Sequence, residues 1–367
     1  MYQRLVLSLV LIASPALATA QAADDRNYGD YRLEQIATGL DMPWCVAFLP
    51  DGGFLITELG GTLRRIAADG TVGEPIAGVP AVYRASQGGL FDVLLAPDFA
   101  DSGVLYLSYA EGPPESNATA VARARLEGDA LTNVEVIFRV TPRKDTPVHY
   151  GGRLAWHADG TLLLTTGDGF DYREAAQDLG SQMGKVIRMN SDGSAADGNP
   201  FPEVPYVWSY GHRNPQGLSV AADGTVWLHE HGPKGGDEVN IVEPGVNYGW
   251  PVVTYGLDYN GAYVSPFTEM EGMRQPLHVW TPSIAPSGLT VYEGSMFPQW
   301  QGDLFVGALV DRDVRRLDVE DGEIVGEEVL FGDIGERIRD VATGPDGAIY
   351  ILAEGEPGTL WRVTRSN

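Results

Sequence analysis

The chain has 367 residues, with 25 lysines and arginines against 50 aspartates and glutamates and a formal net charge of −25. This acidic balance disfavours nucleic acid and anionic lipid surfaces as partners. A single cysteine, Cys45, excludes an intramolecular disulfide, so stability must come from the burial of apolar side chains. Cys45 lies in an apolar stretch, where we expect a small buried side chain rather than a reactive thiol.

The first residues are typical of an export signal. Arg4 is their only charged residue, an apolar run follows over residues 5–17, and small residues near Ala20 offer a cleavage site. The run is too short to span a bilayer, and no later segment reaches the roughly 18 uninterrupted apolar residues of a membrane helix. We therefore predict a secretory signal peptide over residues 1–23 and a periplasmic or secreted protein over residues 24–367.

One pattern recurs along the rest of the chain: a turn rich in Asp and Gly, followed by four or five apolar residues. Asp-Gly between apolar runs is typical of hairpins, because both turn positions tolerate positive φ, and no 3.6-residue period is sustained. The six turns are marked by Asp51, Asp98, Asp159, Asp223, Gly302 and Asp346. Six sheet units favour an all-β fold, a six-bladed β-propeller with four-stranded antiparallel blades. Residues 31–36 and 359–363 would then share the last blade and close the ring.

A large β-sandwich and two separate β domains are the alternatives to a propeller. The chain has no linker rich in Pro and Ser, which favours one domain. The widest spacing between turns, from Asp223 to Gly302, implies an insertion, and residues 255–276 are its predicted long loop. In a propeller, loops from different blades meet at one mouth of the channel, so motifs that are distant in sequence can form one site.

Several common mechanisms lack their motifs, since G-x-S-x-G, H-E-x-x-H, P-loop and G-x-G-x-x-G patterns are absent. His149 precedes two glycines in a loop before a strand and is a candidate general base. Asp168, between two glycines at the end of the next strand, is placed to orient that imidazole, although a plain turn residue explains it equally. Arg213, followed by Gly232 and Pro233, combines a cation with free backbone carbonyls, which suits an anionic cofactor beside a hard metal ion.

Eight ordered segments together are similar to the soluble quinoprotein sugar dehydrogenases. They are residues 149–153 (HYGGR), 167–169 (GDG), 183–186 (MGKV), 211–217 (GHRNPQG), 231–233 (HGP), 237–240 (DEVN), 247–251 (NYGWP) and 337–340 (RIRD). The resemblance is to the glucose/sorbosone dehydrogenase family, above all to its bacterial aldose sugar dehydrogenase branch. It covers essentially the whole chain after the leader and implies a six-bladed propeller that carries pyrroloquinoline quinone (PQQ) and calcium.

The resemblance also implies roles for individual residues. The cofactor contacts would be Gln87, Arg213, Asn214, Gln216, Tyr259, Ala308, Leu309, Val310, Arg337 and Arg339. The carbonyl oxygens of Gly232 and Pro233 would hold the calcium ion beside PQQ. A second, structural calcium would use Glu238 and the backbone of Tyr248, although an acidic turn explains Glu238 equally well.

In the mechanism implied by the resemblance, His149 takes the proton of the anomeric hydroxyl of an aldose while hydride passes from C1 to PQQ. Asp168 orients the imidazole, Arg213 stabilises the developing negative charge, and calcium polarises the quinone. The product would be an aldonolactone, and reduced PQQ would pass its electrons to an external acceptor. The sequence leaves open whether the chain is a monomer or a homodimer.

One position departs from the family pattern. Relatives carry a cofactor-binding lysine in the segment aligned with residues 307–311, where this chain has Val310, and Arg312 is a candidate to reach inward and compensate. Two other functions therefore stay open at this point. They are a calcium-dependent lactonase-type six-bladed propeller and a sugar-binding propeller without cofactor.

Overall fold

The computed structural model describes residues 25–27 and 30–366, so the predicted signal peptide lies outside the described residues. Strands dominate, and helix is limited in this part of the chain to α1 (Phe99–Ser102) and three short 3-10 turns. These turns are Arg173–Ala176, Pro298–Trp300 and Gly332–Ile334. Over the same residues, no helix has the length and hydrophobicity to cross a membrane.

In the part of the chain that the structure describes, twenty-five strands form six antiparallel sheets arranged as blades around a ring. The chain opens with β1 (Asp25–Asn27) and β2 (Tyr31–Leu40). Blade 1 contains β3 (Pro43–Phe48), β4 (Phe54–Glu58), β5 (Thr62–Ile66) and β6 (Val72–Pro75). Blade 2 contains β7 (Leu90–Leu95), β8 (Val104–Glu111), β9 (Ala118–Glu127) and β10 (Ala130–Arg139). Blade 3 contains β11 (Gly151–Trp156), β12 (Leu162–Thr166), β13 (Lys185–Met189) and β14 (Val207–Tyr210).

The second half of the ring repeats the arrangement. Blade 4 contains β15 (Pro215–Val220), β16 (Val226–Glu230), β17 (Asp237–Ile241) and β18 (His278–Trp280). Blade 5 contains β19 (Pro286–Val291), β20 (Leu304–Ala308), β21 (Val314–Glu320) and β22 (Glu323–Leu330). Blade 6 contains β23 (Arg337–Thr343), β24 (Ile349–Glu354) and β25 (Gly358–Arg365). β2 pairs with β25 as the fourth strand and β1 adds to β2, so both ends of the propeller share one blade, as predicted.

The six predicted turns all connect the first and second strands of a blade. At the turn after β3, Gly52 has φ of +84°, and the Asp51 carboxylate accepts the backbone N–H of Gly53 at 3.0 Å. Asp159 and Asp223 accept the N–H two residues further on in the same way, at 3.0 and 2.8 Å. An aspartate that closes the turn and a glycine that adopts positive φ therefore repeat the same local structure around the ring. The predicted long loop lies between β17 and β18, where the described chain is largely irregular.

The first strand of each blade lines the central channel and packs against the first strands of both neighbouring blades. Each of these strands bulges where it pairs with its second strand. In blades 1 to 3, the bulge leaves one backbone N–H of the first strand outside the regular ladder. A hydroxyl of the second strand accepts this N–H and donates to a carbonyl of the next blade. These hydroxyls belong to Thr57, Ser108 and Thr165. The bulges thus supply direct hydrogen bonds between blades.

Arg153 of β11 is buried in the channel and joins several of these strands. Its Nε donates to the carbonyl of Gln216 at 2.8 Å, and its Nη2 donates to the carbonyl of Arg339 at 3.2 Å. Its Nη1 lies 3.0 Å from the Asp340 carboxylate, and its guanidinium carbon lies 4.1 Å from the centre of the Trp44 ring. One side chain therefore connects blades 1, 3, 4 and 6.

We expect Arg153→Met to lower the free energy of unfolding by about 3–5 kcal/mol, because it leaves the buried Asp340 carboxylate without its ion pair. Urea unfolding followed by circular dichroism measures the change. Arg125→Met is the matched control, since the Arg125–Glu127 pair is half exposed, and it should cost less than about 1 kcal/mol. Equal losses in the two variants would contradict the central role of Arg153.

Candidate active site

Most of the predicted site residues gather at one mouth of the channel. His149 and Arg213 precede the first strands of blades 3 and 4, while Asp168 and Gly232 follow the second strands of the same blades. The start of a first strand and the end of a second strand lie at the same end of an antiparallel pair. The Asp-Gly turns lie at the opposite end of these strand pairs. The repeated turns and the candidate site therefore occupy different faces of the ring.

Three adjoining cavities form this mouth. The histidine cavity, about 280 Å³, contains His149, Asp168, Arg213, Pro233, Trp250 and Tyr259 in its wall. The arginine cavity, about 440 Å³, contains Gln87, Asn214, Gln216, His231, Leu309, Arg337 and Arg339. The loop cavity, about 660 Å³, contains His231, Gly232, Pro233, Tyr259 and Val310. The loop cavity shares His231 with the arginine cavity, and it shares Pro233 and Tyr259 with the histidine cavity, so it adjoins both.

His149 and Asp168 form the hydrogen-bonded pair that the sequence predicts. His149 Nδ1 lies 2.7 Å from Asp168 Oδ1, and both side chains are buried. The other carboxylate oxygen of Asp168 accepts the indole N–H of Trp250 at 2.7 Å, and Oδ1 also accepts the backbone N–H of Phe170 at 2.8 Å. Because Asp168 is an acceptor at His149 Nδ1, the ring nitrogen Nε2 is the one left for a molecule in the cavity.

The backbone of His149 is held in an unusual conformation. Its φ is +53°, and its N–H donates to the side-chain carbonyl of Gln87 at 2.8 Å. Gln87, predicted as a cofactor contact, therefore also fixes the loop that carries the imidazole.

Burial and charge set the protonation of the pair. Burial lowers the pKa of His149 below its usual value, the hydrogen bond and charge of Asp168 oppose that shift, and the charges of Arg213 and Lys144 add to it. The pKa of Asp168 is lowered as well: burial would raise it, but the hydrogen bond and charge of His149 and the charge of Arg213 hold it below its usual value. The pair is thus a neutral imidazole beside a carboxylate, which is the state required of a proton acceptor.

Arg213 lies across the histidine cavity from this pair. Its Nη1 donates to the carbonyls of Gly232 at 2.8 Å and His231 at 3.1 Å, and its Nη2 lies 3.2 Å from the Tyr259 hydroxyl. Its backbone N–H donates to Glu230, whose other carboxylate oxygen lies 2.9 Å from His212 Nδ1. The buried Nε of Arg213 has no hydrogen-bond partner, so one donor of the fork remains available.

Arg337 and Arg339 share one face of β23, as their alternate spacing predicts, and both line the arginine cavity. They converge on Glu354, which lies 2.9 Å from Arg337 Nε and 3.1 Å from Arg339 Nη2. Arg337 also donates to the carbonyl of Leu309 at 3.3 Å. The buried Nε of Arg339 lacks a hydrogen-bond partner, like that of Arg213. Two cations thus share one carboxylate, and Glu356 lies in the same cavity wall.

The segment that departs from the family pattern is spread between core and surface. Ala308 is fully buried in the core of blades 4 and 5 and lies outside the walls of the three cavities. Leu309 lines the arginine cavity, and Val310, 58% exposed, lines the loop cavity. Arg312 donates to the carbonyl of Gly335 at 3.1 Å and is exposed, so its side chain does not take the place of the missing lysine in the described structure.

The carbonyl-rich loop after β16 is anchored by Asp237. One oxygen of this buried carboxylate accepts the N–H of Gly232 at 2.8 Å, and the other accepts the N–H of Ile284 and the hydroxyl of Ser283. Only glycine fits at position 232, because a side chain there would collide with the carbonyl oxygens of Gly235 and Gly236. Backbone oxygens are therefore crowded around Gly232.

The residues predicted for a second calcium lie away from the three cavities. Glu238 of β17 pairs with Glu230 of β16, and burial followed by the charge of Glu230 raises the pKa of Glu238 well above its usual value. Tyr248 is buried and stacks on His212 with ring centres 4.8 Å apart. Within residues 30–366, His, Cys, Asp and Glu side chains form no group of three that could hold a metal.

Three residues of the site lacked an assigned role in the sequence. Trp250 was part of a motif, but its bond to Asp168 spans 82 positions. Glu354, which pairs with both arginines, and Lys144, whose charge acts on His149, stood outside every motif. A search for acidic residues in strands next to paired arginines is the one sequence signal that points to Glu354.

The family model for Glucose / Sorbosone dehydrogenase matches residues 40–362, from the end of β2 into β25. The chain belongs to this family. The resemblance found in the eight short segments is thus confirmed.

Individual relatives are similar over almost the whole chain. Aldose sugar dehydrogenase YliI of Escherichia coli (strain K12) is 41% identical over 373 residues, which cover 98% of the chain and 96% of that protein. A solved glucose dehydrogenase structure is 45% identical, with a TM-score of 0.88 over 91% of the chain and 99% of its own length. The PQQ-bound form of aldose sugar dehydrogenase from Streptomyces coelicolor is 27% identical, with a TM-score of 0.76 over 92% of the chain and 98% of its own.

We expect Asp168→Asn to lower the pKa of His149 further, because the hydrogen bond and charge of Asp168 both favour the protonated imidazole. NMR titration of the histidine rings, without any added ligand, measures the shift. Asp171→Asn, in the wall of the same cavity, is the control and should leave the His149 titration in place. A rise in the His149 pKa in the Asp168 variant would refute the assignment.

Proposed function

We propose that the protein is a PQQ- and calcium-dependent aldose dehydrogenase that oxidises the anomeric C1 hydroxyl of aldose sugars to aldonolactones. Family membership makes it a sugar oxidoreductase. The observation that carries the finer proposal is the buried His149–Asp168 pair, which shares the histidine cavity with Arg213, at the same mouth of the channel as Arg337 and Arg339.

The arginines fit an anionic cofactor. Arg213 and Arg339 each keep a buried Nε without a hydrogen-bond partner, an arrangement that costs free energy unless a ligand oxygen accepts the bond. PQQ carries carboxylates and quinone oxygens that meet this need. Gln87, Asn214 and Gln216 lie with Arg339 in the wall of the arginine cavity, and they add amide groups for the polar edge of PQQ. The PQQ-bound Streptomyces relative supports the choice of cofactor.

Calcium fits the crowded carbonyls of the loop after β16. Calcium accepts backbone oxygens as ligands, and Gly232 and Pro233 lie in the walls of the loop cavity. The Gly232 carbonyl accepts a hydrogen bond from Arg213, a contact that bound calcium would have to share or replace. Asp237, by its bond to the N–H of Gly232, would keep this carbonyl in position. A second calcium at Glu238 and the Tyr248 backbone would offset the charges of the half-buried Glu238 and the buried Glu230, which are paired neighbours on β17 and β16.

The residues of the chain perform the proton chemistry. Bound PQQ with calcium supplies the acceptor for the hydride that leaves C1. His149 Nε2 takes the proton of the C1 hydroxyl, and Asp168 holds the opposite ring nitrogen and stabilises the imidazolium that forms. Trp250 keeps Asp168 in place by its indole N–H, and Arg213 presents its positive charge to the same cavity. Proton removal of this kind typically contributes about 10²- to 10⁴-fold.

Electrons must then leave the site for an external acceptor, a quinone, a dye or a redox protein. The leader predicted in residues 1–23 supports a periplasmic or secreted location for this exchange. Nucleic acid is not a proposed partner, because the net charge of −25 repels it.

Reconstitution tests the proposal. Purified protein should oxidise aldoses with an artificial acceptor only when both PQQ and calcium are present, and chelation of calcium should abolish the activity. His149→Gln should lower kcat by about 10²-fold or more, because the base is lost, while PQQ binding is retained. The control His157→Gln changes a histidine that pairs with Asp159, outside the cavity walls, and should keep full activity.

Other outcomes would replace the proposal. Hydrolysis of lactones without quinone would indicate a calcium-dependent lactonase. Failure to acquire the absorbance of PQQ, with no turnover on a broad panel of sugars and alcohols, would indicate a binding propeller. Full activity of the His149 variant would remove the base from the mechanism.

We expect Val310→Lys to tighten PQQ binding about tenfold, since a lysine there adds a charge-assisted hydrogen bond worth about 1.5 kcal/mol. Titration of the protein with PQQ in the presence of calcium measures the affinity. Val325→Lys on β22 is the matched control, because Val325 is 55% exposed, close to the 58% of Val310, and the change in net charge is the same. An unchanged affinity in the Val310 variant would contradict the expectation.

A further inference from the structure

Lys144 is a buried lysine in the loop that carries His149. Only 5% of its surface is exposed. Its backbone pairs with Asn117 through two hydrogen bonds, of 2.9 and 2.7 Å, at the point where the loop leaves blade 2. The stretch from Lys144 to Tyr150, which we name the base loop, therefore begins at a fixed anchor and ends at the first strand of blade 3.

The ammonium group of Lys144 binds the base loop from inside. Its Nζ donates to the carbonyls of Thr146 at 2.6 Å and Val148 at 2.8 Å, and it lies 3.5 Å from the centre of the Tyr150 ring. These contacts lie on both sides of His149 in sequence. Two hydrogen bonds and one cation–π contact of a single cation thus hold the backbone on either side of His149, whose φ is positive.

The same lysine also contacts the loop that carries Asp168. A methyl group added to Gly169 would lie 2.9 Å from the Cδ atom of Lys144, so the two loops are in direct contact here. The hydroxyl of Thr146 donates to the carbonyl of Gly169 at 2.6 Å and connects the loops a second time. Lys144 therefore lies at the junction of the segments that present the two members of the pair.

We propose that Lys144 is a positioning residue for His149: its ammonium group holds the base loop in the shape that presents the imidazole to the cavity, and its positive charge favours the neutral imidazole. The kinetic part of this proposal rests on the proposed dehydrogenase function, whereas the structural and titration parts concern the protein without cofactor.

The charges around the two groups support a coupling between them. Asp168, Arg213 and Lys144 act on His149, and of these only Asp168 favours the imidazolium. Asp168 and Asp145 act on Lys144, with the Tyr150 ring against Nζ, and burial outweighs both and lowers the pKa of Lys144 to about 7. The charge on Lys144 therefore changes near neutral pH, and its loss would raise the pKa of His149. In an active enzyme, the acidic limb of kcat/KM would then move to higher pH.

Lys185 is the matched control for a purely structural role. It is fully buried, its Nζ donates to the carbonyls of Ala175, Ala176 and Met183, and burial likewise lowers its pKa to about 7. Lys185 lies in β13 of blade 3, the blade that the base loop enters, but it is not among the charges that act on His149. Loss of either lysine should destabilise the fold, whereas only loss of Lys144 should change the titration of His149.

The experiment compares the Lys144→Met, Lys144→Arg and Lys185→Met variants with wild type. NMR titration of the histidine rings in cofactor-free protein is the first measurement, and it stands whether or not the protein oxidises sugars. We expect a higher His149 pKa in K144M, a value close to wild type in K144R, and no change in K185M. In the PQQ- and calcium-loaded enzyme, K144M should lower kcat about tenfold to a hundredfold with little change in KM, because the base is displaced.

An unchanged His149 pKa in K144M would overturn the proposal, and so would an equal shift in K185M. If K144M does not fold, the wild type decides: the His149 ring signals should shift as Lys144 loses its proton near pH 7, and signals that stay constant there would overturn it. If the loaded wild type oxidises no sugar, the proposed function fails, but the titration result still decides the role of Lys144.

Discussion

The buried guanidinium of Arg153 is the interaction on which the rest of the molecule depends. It joins the first strands of four blades, and two of the carbonyls that it binds belong to Gln216 and Arg339, which both line the arginine cavity. The hydrogen bonds that join the strands across the channel therefore also hold the backbone of two residues of the candidate cofactor site. Such a cation is stable in the interior only because Asp340 pairs with it and carbonyls satisfy its other donors.

The mouth above Arg153 contains an unusual concentration of buried charge. Asp168 is satisfied by His149 and Trp250, Glu354 by two arginines, and Glu230 by His212 and the backbone of Arg213. Each of these carboxylates is removed from water, and the hydrogen bonds offset much of that cost. At this mouth the buried Nε atoms of Arg213 and Arg339 have no hydrogen-bond partner, which supports the proposed anionic cofactor.

The fold was largely predictable because its signals are local. Asp51 and Gly52 form their turn from adjacent residues, and the same arrangement recurs at the other Asp-Gly turns, so pattern alone indicated hairpins and their number. The pairing of His149 with Asp168 was also predictable, since both flank neighbouring strands of one blade. Trp250 escaped because its partner Asp168 lies 82 positions away, whereas Glu354 faces Arg337 across a single hairpin and escaped because no motif includes it. Ala308 illustrates the converse, a predicted cofactor contact whose side chain is buried in the core.

By itself, the sequence determined the turns, the six-fold repetition and the residue types that suit an anion, a base and a hard cation. These depend on side-chain chemistry and on backbone preferences that act over a few residues. Only the tertiary structure decided which charges meet. It brought Lys144 of the base loop into contact with the loop that carries Asp168. It also directed Arg312 to the carbonyl of Gly335, while Val310 lines the loop cavity. Contacts between blades depend on how the ring closes, and no local sequence pattern encodes the distances between residues of different blades.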